Sequence, residues 1–214
     1  LKVWNLALAI LTYELCIFGT FMTRSGIISS VHAFAQSNIG PFFATFLIFS
    51  LVFSFGLLWL RLPLLKADNR LESFASRETA FLLNNWVLLG MLFAVFWGTV
   101  FPLVSEAFTG EQITVSAPFF NQVNIPIGLV LLLLTGAGPL FAWRRTSNES
   151  LRKNFTTPVT AGLIFVGILF ALGLRDLYAL LSFGLCAFVT IALGTEFHHG
   201  TRARMRSTSA TGGI

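Results

Sequence analysis

Six runs of apolar residues alternate with short polar segments along the 214-residue chain. The runs lie near residues 6–22, 42–60, 81–104, 125–143, 159–174 and 177–197. Each approaches the ~20 residues that a helix needs to cross ~30 Å of hydrocarbon at ~1.5 Å per residue. Because lipid offers no partner to the free edge of a strand, each run is predicted to be helical. The pattern predicts an all-α, polytopic transmembrane helix bundle of about six spans.

The six runs give a transmembrane helical region over residues 1–206. Residues 207–214 are mostly Ser, Thr, Ala and Gly, and we expect them to form a flexible tail. The chain opens on Leu1 without an initiator Met, and its first run lacks the small-residue cleavage site of a signal peptide. We therefore expect the six spans to form part of a larger bundle.

Composition supports the membrane assignment. Hydrophobic residues make up 55% of the chain, charged residues 11%, and the mean hydropathy is +0.79. A soluble domain carries about 25% charged residues, and a disordered chain is poor in apolar ones. The net charge of +5 is spread over short connections rather than along one stripe, which argues against nucleic acid as a partner. Membrane lipid is the surrounding that this composition predicts.

The basic residues predict an orientation. If the first span starts inside, only Arg24 and Arg175 fall on the outer side. The other 12 of the 14 basic residues fall on the inner side: Lys2, Arg61, Lys66, Arg70, Arg77, Arg144, Arg145, Arg152, Lys153, Arg202, Arg204 and Arg206. Because cytoplasmic connections carry an excess of Lys and Arg, we expect both ends of the chain to be cytoplasmic.

His32 lies in the outer connection between the first two runs. Apolar residues near it recur at close to helical spacing: Ile27, Ile28, Val31 and Phe34. This spacing predicts a short helix that lies in the membrane interface. On such a helix an imidazole could face the bundle as an axial ligand of haem iron, or it could be a partly hydrated side chain without a ligand. The residues alone leave both readings open.

Two other charged residues have alternative readings. Arg24, at the outer edge of the first span, could extend to lipid phosphates or clamp a carboxylate such as a haem propionate. Glu14 lies near the middle of that span, where a carboxylate is costly and normally has a partner or a proton.

Small residues shape two later spans. Gly90, Ala94 and Gly98 predict a packing face, and residues 136–139, Gly-Ala-Gly-Pro, predict a kink.

Two segments around His32 are distinctive: Thr-Arg-Ser-Gly-Ile at 23–27 and Ser-Val-His-Ala-Phe-Ala at 30–35. Further distinctive segments are 76–78, 82–85, 98–102, 114–121, 136–139 and 143–144. Together they closely resemble the CcmF family of haem-handling, cytochrome c-type biogenesis proteins. The first two segments are the most specific match, and they resemble the segment that follows the family's tryptophan-rich haem motif. The resemblance extends over nearly the whole chain.

The resemblance implies a role in cytochrome c maturation at the outer face of the bacterial inner (cytoplasmic) membrane. The family joins haem vinyl groups to the thiols of a Cys-x-x-Cys-His site in apocytochrome c, a haem lyase activity exercised within a complex. By the resemblance, His32 would ligate the iron of the incoming b-type haem and Arg24 would contact a propionate or a partner. The implied partners are the haem chaperone CcmE, apocytochrome c, and subunits that reduce thiols and handle the apocytochrome.

Three alternatives stay open. A close relative could serve a nitrite-reductase-type cytochrome, or could deliver haem without ligating it. A transporter would need intramembrane charge and broken helices, for which Glu14 and the Gly138-Pro139 pair are the only support. A non-catalytic assembly scaffold would tolerate the loss of His32.

Overall fold

The computed structural model describes residues 2–25, 27, 39–65 and 73–211, with side chains described as far as residue 205. Six α-helices occupy these ranges: α1 (Lys2–Arg24), α2 (Gly40–Arg61), α3 (Arg77–Thr109), α4 (Ala117–Leu140), α5 (Asn148–Ala171) and α6 (Leu177–Thr211). A 3₁₀ turn, Leu62–Leu65, continues α2. All six helices are long and apolar enough to cross a membrane. The predicted all-α bundle of six spans is confirmed.

Several helices extend beyond the apolar runs that predicted them. α4 begins at Ala117 rather than near 125, and α5 begins at Asn148 rather than near 159. The polar start of α5 is capped by Ser147, whose Oγ accepts the N–H of Ser150 at 3.2 Å. Hydropathy marks the stretch that lies in lipid, whereas a helix can continue into the polar headgroup region. α6 likewise continues to Thr211, and the flexibility of 207–214 stays a prediction.

α3 has clear signals at both ends. Ser76 caps its first turn by accepting the N–H of Thr79 at 3.2 Å, and Glu78 places a negative charge near the positive end of the helix dipole. The helix ends at Thr109 and is followed by Gly110, whose φ of 77° lies in the left-handed region that glycine adopts without strain. The Gly110 N–H donates to the Glu106 carbonyl at 2.9 Å.

The chain divides into two compact units, Leu1–Arg70 (unit 1) and Leu71–Ile214 (unit 2). In unit 1, α1 and α2 pack as a helical hairpin, and the 3₁₀ turn also contacts α1. In unit 2, α3 packs on α4, while α6 packs on both α4 and α5. The best-buried cluster of unit 2 joins Ala137 and Leu140 of α4 to Phe188 and Ala192 of α6.

Small residues form the close contacts inside unit 2. A Cβ at Gly136 would lie 2.7 Å from Phe188 Cε1, and a Cβ at Gly162 would lie 2.9 Å from the Gly184 carbonyl oxygen. Such contacts let helix backbones approach closely where lipid supplies no hydrophobic drive for association. α4 runs through all of residues 136–139 and ends at Leu140, so these residues lie inside the helix and pack against α6, while the kink predicted there stays a prediction.

The predicted small-residue face of α3 is only partly used. Ala94 and Gly98 are buried, and a Cβ at Gly98 would lie 2.7 Å from Phe120 Cε1. Gly90 has open space on its Cβ side. α3 therefore contacts the start of α4 at Gly98 and the end of α4 at Ala80, which lies 3.8 Å from a Cβ built on Gly138.

Candidate functional site

The end of unit 1 that carries Arg24 is where sequence reasoning places a haem site. α1 ends at Arg24 and α2 begins at Gly40. A Cβ built on Gly40 would lie 3.2 Å from Ser25 Cβ, so the two helix ends touch there. The chain therefore leaves α1 and enters α2 at the same place, next to Arg24.

Arg24 has an exposed side chain, and within 2–25, 27 and 39–65 it forms no ion pair. Its guanidinium is therefore available to an anion at this end of the hairpin. Ile27 is 44% exposed, and its N–H donates to Ser25 Oγ at 3.4 Å. His32 lies outside the described residues, as do Ile28, Val31 and Phe34. Its role as an axial ligand, and the interfacial helix around it, stay predictions.

Glu14 has a partner that the sequence analysis did not identify. Ser50 Oγ of α2 donates to Glu14 Oε1 at 2.7 Å, and Glu14 is only 3% exposed. The other carboxyl oxygen, Oε2, has no hydrogen-bond partner in the part of the chain that the structure describes. The bond ties α1 to α2 in the middle of their apolar stretch. The sequence signal for this bond was Ser50 itself, because a polar side chain within an apolar run needs a partner.

At one end of unit 2, Arg77 joins the first turn of α3 to the ends of other helices. Its Nε donates to the Phe141 carbonyl at 3.1 Å, and its Nη2 donates to the Pro139 carbonyl. Its guanidinium carbon lies 5.4 Å from the centroid of the Trp143 ring, and Nη2 lies 3.9 Å from Glu196 Oε2 of α6. We call these five residues the Arg77 junction.

The Arg77 junction satisfies carbonyl groups that the last turn of α4 leaves without helical partners. Backbone bonds reinforce it, since the Arg77 N–H donates to the Ala142 carbonyl at 2.9 Å and the Thr146 N–H to the Ala75 carbonyl at 3.0 Å. Asn154 Nδ2 of α5 also donates to the Leu140 carbonyl at 3.1 Å. The junction therefore has the character of a structural clamp.

The segments of unit 2 that carry the resemblance also contact one another. Residues 76–78 contact segments 136–139 and 143–144 at the Arg77 junction. At the other end of α3, Gly98 packs against Phe119 and Phe120, so segments 98–102 and 114–121 lie together. Ser105 Oγ accepts the Ile113 N–H at 2.9 Å and ties the α3–α4 connection to α3. Five of the segments that carry the resemblance thus hold the unit together.

Within the described ranges, no group of three or more His, Cys, Asp and Glu side chains is placed to hold a metal ion. His198 and His199 are exposed on α6, with ring centroids 6.2 Å apart and planes at 64°. The geometry agrees with adjacent helical residues pointing in different directions. A haem site needs only one or two axial ligands, so it requires no such group.

Comparisons with known proteins give consistent relatives. No protein-family model and no solved structure matches the chain. Over 169 residues it is 38% identical to the cytochrome c-type biogenesis protein CycK of Rhizobium meliloti, which covers 78% of this chain and 25% of that protein. It is 39% identical over 159 residues to CcmF of Haemophilus influenzae, with 74% and 24% covered. It is 34% identical to CcmF of Pseudomonas aeruginosa over an alignment of 216 positions, which covers 96% of this chain and 32% of that protein. The chain thus spans about a quarter to a third of the length of these curated relatives.

Proposed function

The chain belongs to the CcmF/CycK family of cytochrome c-type biogenesis proteins, and from that premise we propose that it takes part in cytochrome c maturation as part of a haem-handling site in the bacterial inner membrane. The similarity extends over most of the chain at 33–39% identity in six of the relatives. Six apolar helices give it the means to reside in that membrane.

In this proposal the haem site is at the Arg24 end of the α1–α2 hairpin. The observation that carries it is the contact between Ser25 and Gly40, which brings both ends of the segment containing His32 together beside Arg24. His32 would ligate the iron of the substrate haem through one imidazole nitrogen, while the other nitrogen donates a hydrogen bond that fixes the ring. Arg24 would hold a haem propionate, because a guanidinium binds a carboxylate through charge-assisted hydrogen bonds.

The chemistry served by this site needs no redox change in the bond-forming step. Each apocytochrome cysteine thiol adds across one haem vinyl group, so one S–C bond forms, the vinyl C=C becomes a single bond, and the thiol hydrogen passes to the other vinyl carbon. The reactivity belongs to haem and thiol, and the protein contributes their position and orientation. The partners that fit this role are a haem chaperone of the CcmE type, the apocytochrome, and subunits that keep its thiols reduced.

The basic residues support a periplasmic location for the proposed site. Arg77 and the pair Arg144 and Arg145 lie at the same end of the α3–α4 pair, whereas the acidic residues Glu106, in the last turn of α3, and Glu111, in the α3–α4 connection, lie at the other end. With the orientation that the positive-inside rule favours, both chain ends are cytoplasmic and Arg24 and His32 face the periplasm.

Replacing His32 with Ala in the full-length protein tests the proposal. We expect haem capture from the co-expressed chaperone and the yield of mature cytochrome to fall sharply, with membrane insertion retained. Added imidazole should partly restore haem binding, because it can occupy the vacated coordination position. The visible spectrum of the purified protein and the cytochrome yield are the measurements, and His199→Ala, on the exposed surface of α6, is the matched control.

A wild-type spectrum and yield in the His32→Ala variant would contradict the proposed ligand. That outcome is the one expected of a non-catalytic assembly scaffold. Loss of cytochrome yield with an unchanged spectrum would favour delivery of haem without ligation by His32.

A further inference from the structure

A groove of about 280 Å³ lies between α1 and α2 in unit 1, at the end of the hairpin opposite Arg24. Leu6 and Ile10 of α1 face Phe53 and Leu57 of α2 across it. Arg61 stands at its mouth, and apart from one serine the other lining side chains are apolar. We call this the Arg61 groove. It combines a hydrocarbon lining with a single permanent cation.

The length of the Arg61 groove matches one leaflet of a bilayer. From Lys2, at the start of α1, to Ile10 the helix rises roughly 12 Å at ~1.5 Å per residue, and half of the hydrocarbon core is roughly 15 Å. The lining residues nearest the middle of the hairpin, Ile10, Phe53 and Ser54, each lie about one helical turn from the Glu14–Ser50 hydrogen bond. A single acyl chain entering at Arg61 would therefore reach almost to that buried bond.

Two tryptophans place the mouth of the groove at the membrane surface. Trp4 lies near the start of α1, and Trp59, which is 76% exposed, lies two residues before Arg61. Tryptophan side chains concentrate at the headgroup level of bilayers. The cations Lys2 and Arg61 are both exposed at that level. The apolar lining and the depth of the groove therefore suit an acyl chain, and the two cations at its mouth suit a phosphate headgroup.

The mouth has no competing negative charge in the described part of unit 1. Over residues 2–25, 27 and 39–65 the only acidic side chain is Glu14, which is buried deeper in the hairpin. A basic pocket between transmembrane helices is a recurrent form of site for anionic lipid headgroups. A zwitterionic lipid could fill the groove equally well, but its headgroup carries no net charge for Arg61 to attract.

We propose that the Arg61 groove binds an anionic phospholipid of the adjacent leaflet, with one acyl chain between α1 and α2 and the phosphate at Arg61 and Lys2. The lipid would add to the contact between the 3₁₀ turn and α1 at this end of the hairpin, while Ser25 and Gly40 meet at the other end. The proposal does not depend on the proposed haem site, because it concerns the opposite end of unit 1.

Native mass spectrometry of the full protein titrated with phosphatidylglycerol or phosphatidylcholine tests this inference. We expect the wild-type protein to retain phosphatidylglycerol in preference to phosphatidylcholine. Arg61→Gln should weaken phosphatidylglycerol binding about fivefold, in line with one basic residue at a membrane surface, and should leave phosphatidylcholine binding unchanged. Arg202→Gln removes an exposed cation of α6 far along the chain from the groove and is the matched control for charge.

A second pair of variants tests the groove itself. Ser54→Phe fills its deep end and should reduce phosphatidylglycerol binding, whereas Val52→Phe places the same aromatic side chain at a 70% exposed position that does not line it. Far-ultraviolet circular dichroism checks that each variant keeps its helical content. Equal retention of the two lipids, equal losses in Arg61→Gln and Arg202→Gln, or no difference between Ser54→Phe and Val52→Phe would each overturn the proposal.

Discussion

Unit 1 and unit 2 each use a side chain that can carry a charge to join helices, the buried Glu14 and the 25% exposed Arg77, but they surround it very differently. Glu14 of unit 1 has one hydrogen bond, from Ser50, and one carboxyl oxygen without a partner among the described residues. Arg77 of unit 2 binds two carbonyl oxygens, lies over Trp143 and faces Glu196. The Glu14–Ser50 bond joins only α1 and α2, whereas Arg77 joins α3 to both α4 and α6.

The difference follows from where each group lies. Arg77 is at a helix end, where the last carbonyls of α4 need donors and a five-donor guanidinium can supply several. Glu14 lies along an apolar stretch, where neighbouring side chains offer few polar partners and backbone groups are already used within the helices. Stability in unit 2 should therefore depend on its junction far more than stability in unit 1 depends on the Glu14–Ser50 bond.

The largest effect is expected from Arg77→Gln. It removes a charged donor from two carbonyls and the contacts with Trp143 and Glu196, so we expect a loss of about 2–4 kcal/mol in the free energy of unfolding. Arg77→Lys should recover only part of the loss, because an ammonium group lacks the planar fork. Reversible unfolding in mixed micelles, followed by circular dichroism, measures the change. Arg152→Gln, at an exposed position of α5, is the control, and equal effects of the two glutamine variants would contradict the clamp.

An intermediate effect is expected from Gly162→Ala. The new Cβ would lie 2.9 Å from the Gly184 carbonyl oxygen, a backbone atom that cannot move without shifting α6. We expect a loss of roughly 1–3 kcal/mol, typical of an overpacked contact. Gly167→Ala is a matched control on the same helix, since nothing lies within 4 Å of its Cβ position. If both variants gain stability, as helix propensity alone predicts, the α5–α6 contact is not tight.

The smallest effect is expected from Ser50→Ala in unit 1. Hydrogen bonds between transmembrane helices contribute roughly 0.6–1.7 kcal/mol, and this variant should lose an amount in that range. In a Glu14→Leu background the same substitution should have almost no further effect, because its partner is gone. Ser54→Ala, one turn along α2, is the control. An equal loss from Ser50→Ala with and without Glu14 would show that the two side chains are not coupled.

The sequence predicts the candidate site but not the contacts around it. The motif around Arg24 and His32 predicts a haem site at one end of the first hairpin, which stays a prediction, and the structure shows only that Ser25 and Gly40 meet at that end. Ser50 was missed because a serine in an apolar run has no pattern that names its partner on another helix. The partners of Arg77 were missed for the same reason, since Phe141 and Glu196 lie far along the chain from it.

The sequence by itself determined the number of spans, their helical form and the distribution of charge at their ends. These follow from local hydropathy, because a bilayer accepts an isolated spanning segment only as a helix. Only the tertiary structure decided where the helices begin and end, as at Asn148 of α5, and which small and polar residues meet. Those outcomes depend on contacts between distant segments, such as Gly162 with Gly184 and Glu14 with Ser50, whose energies no single stretch of sequence contains.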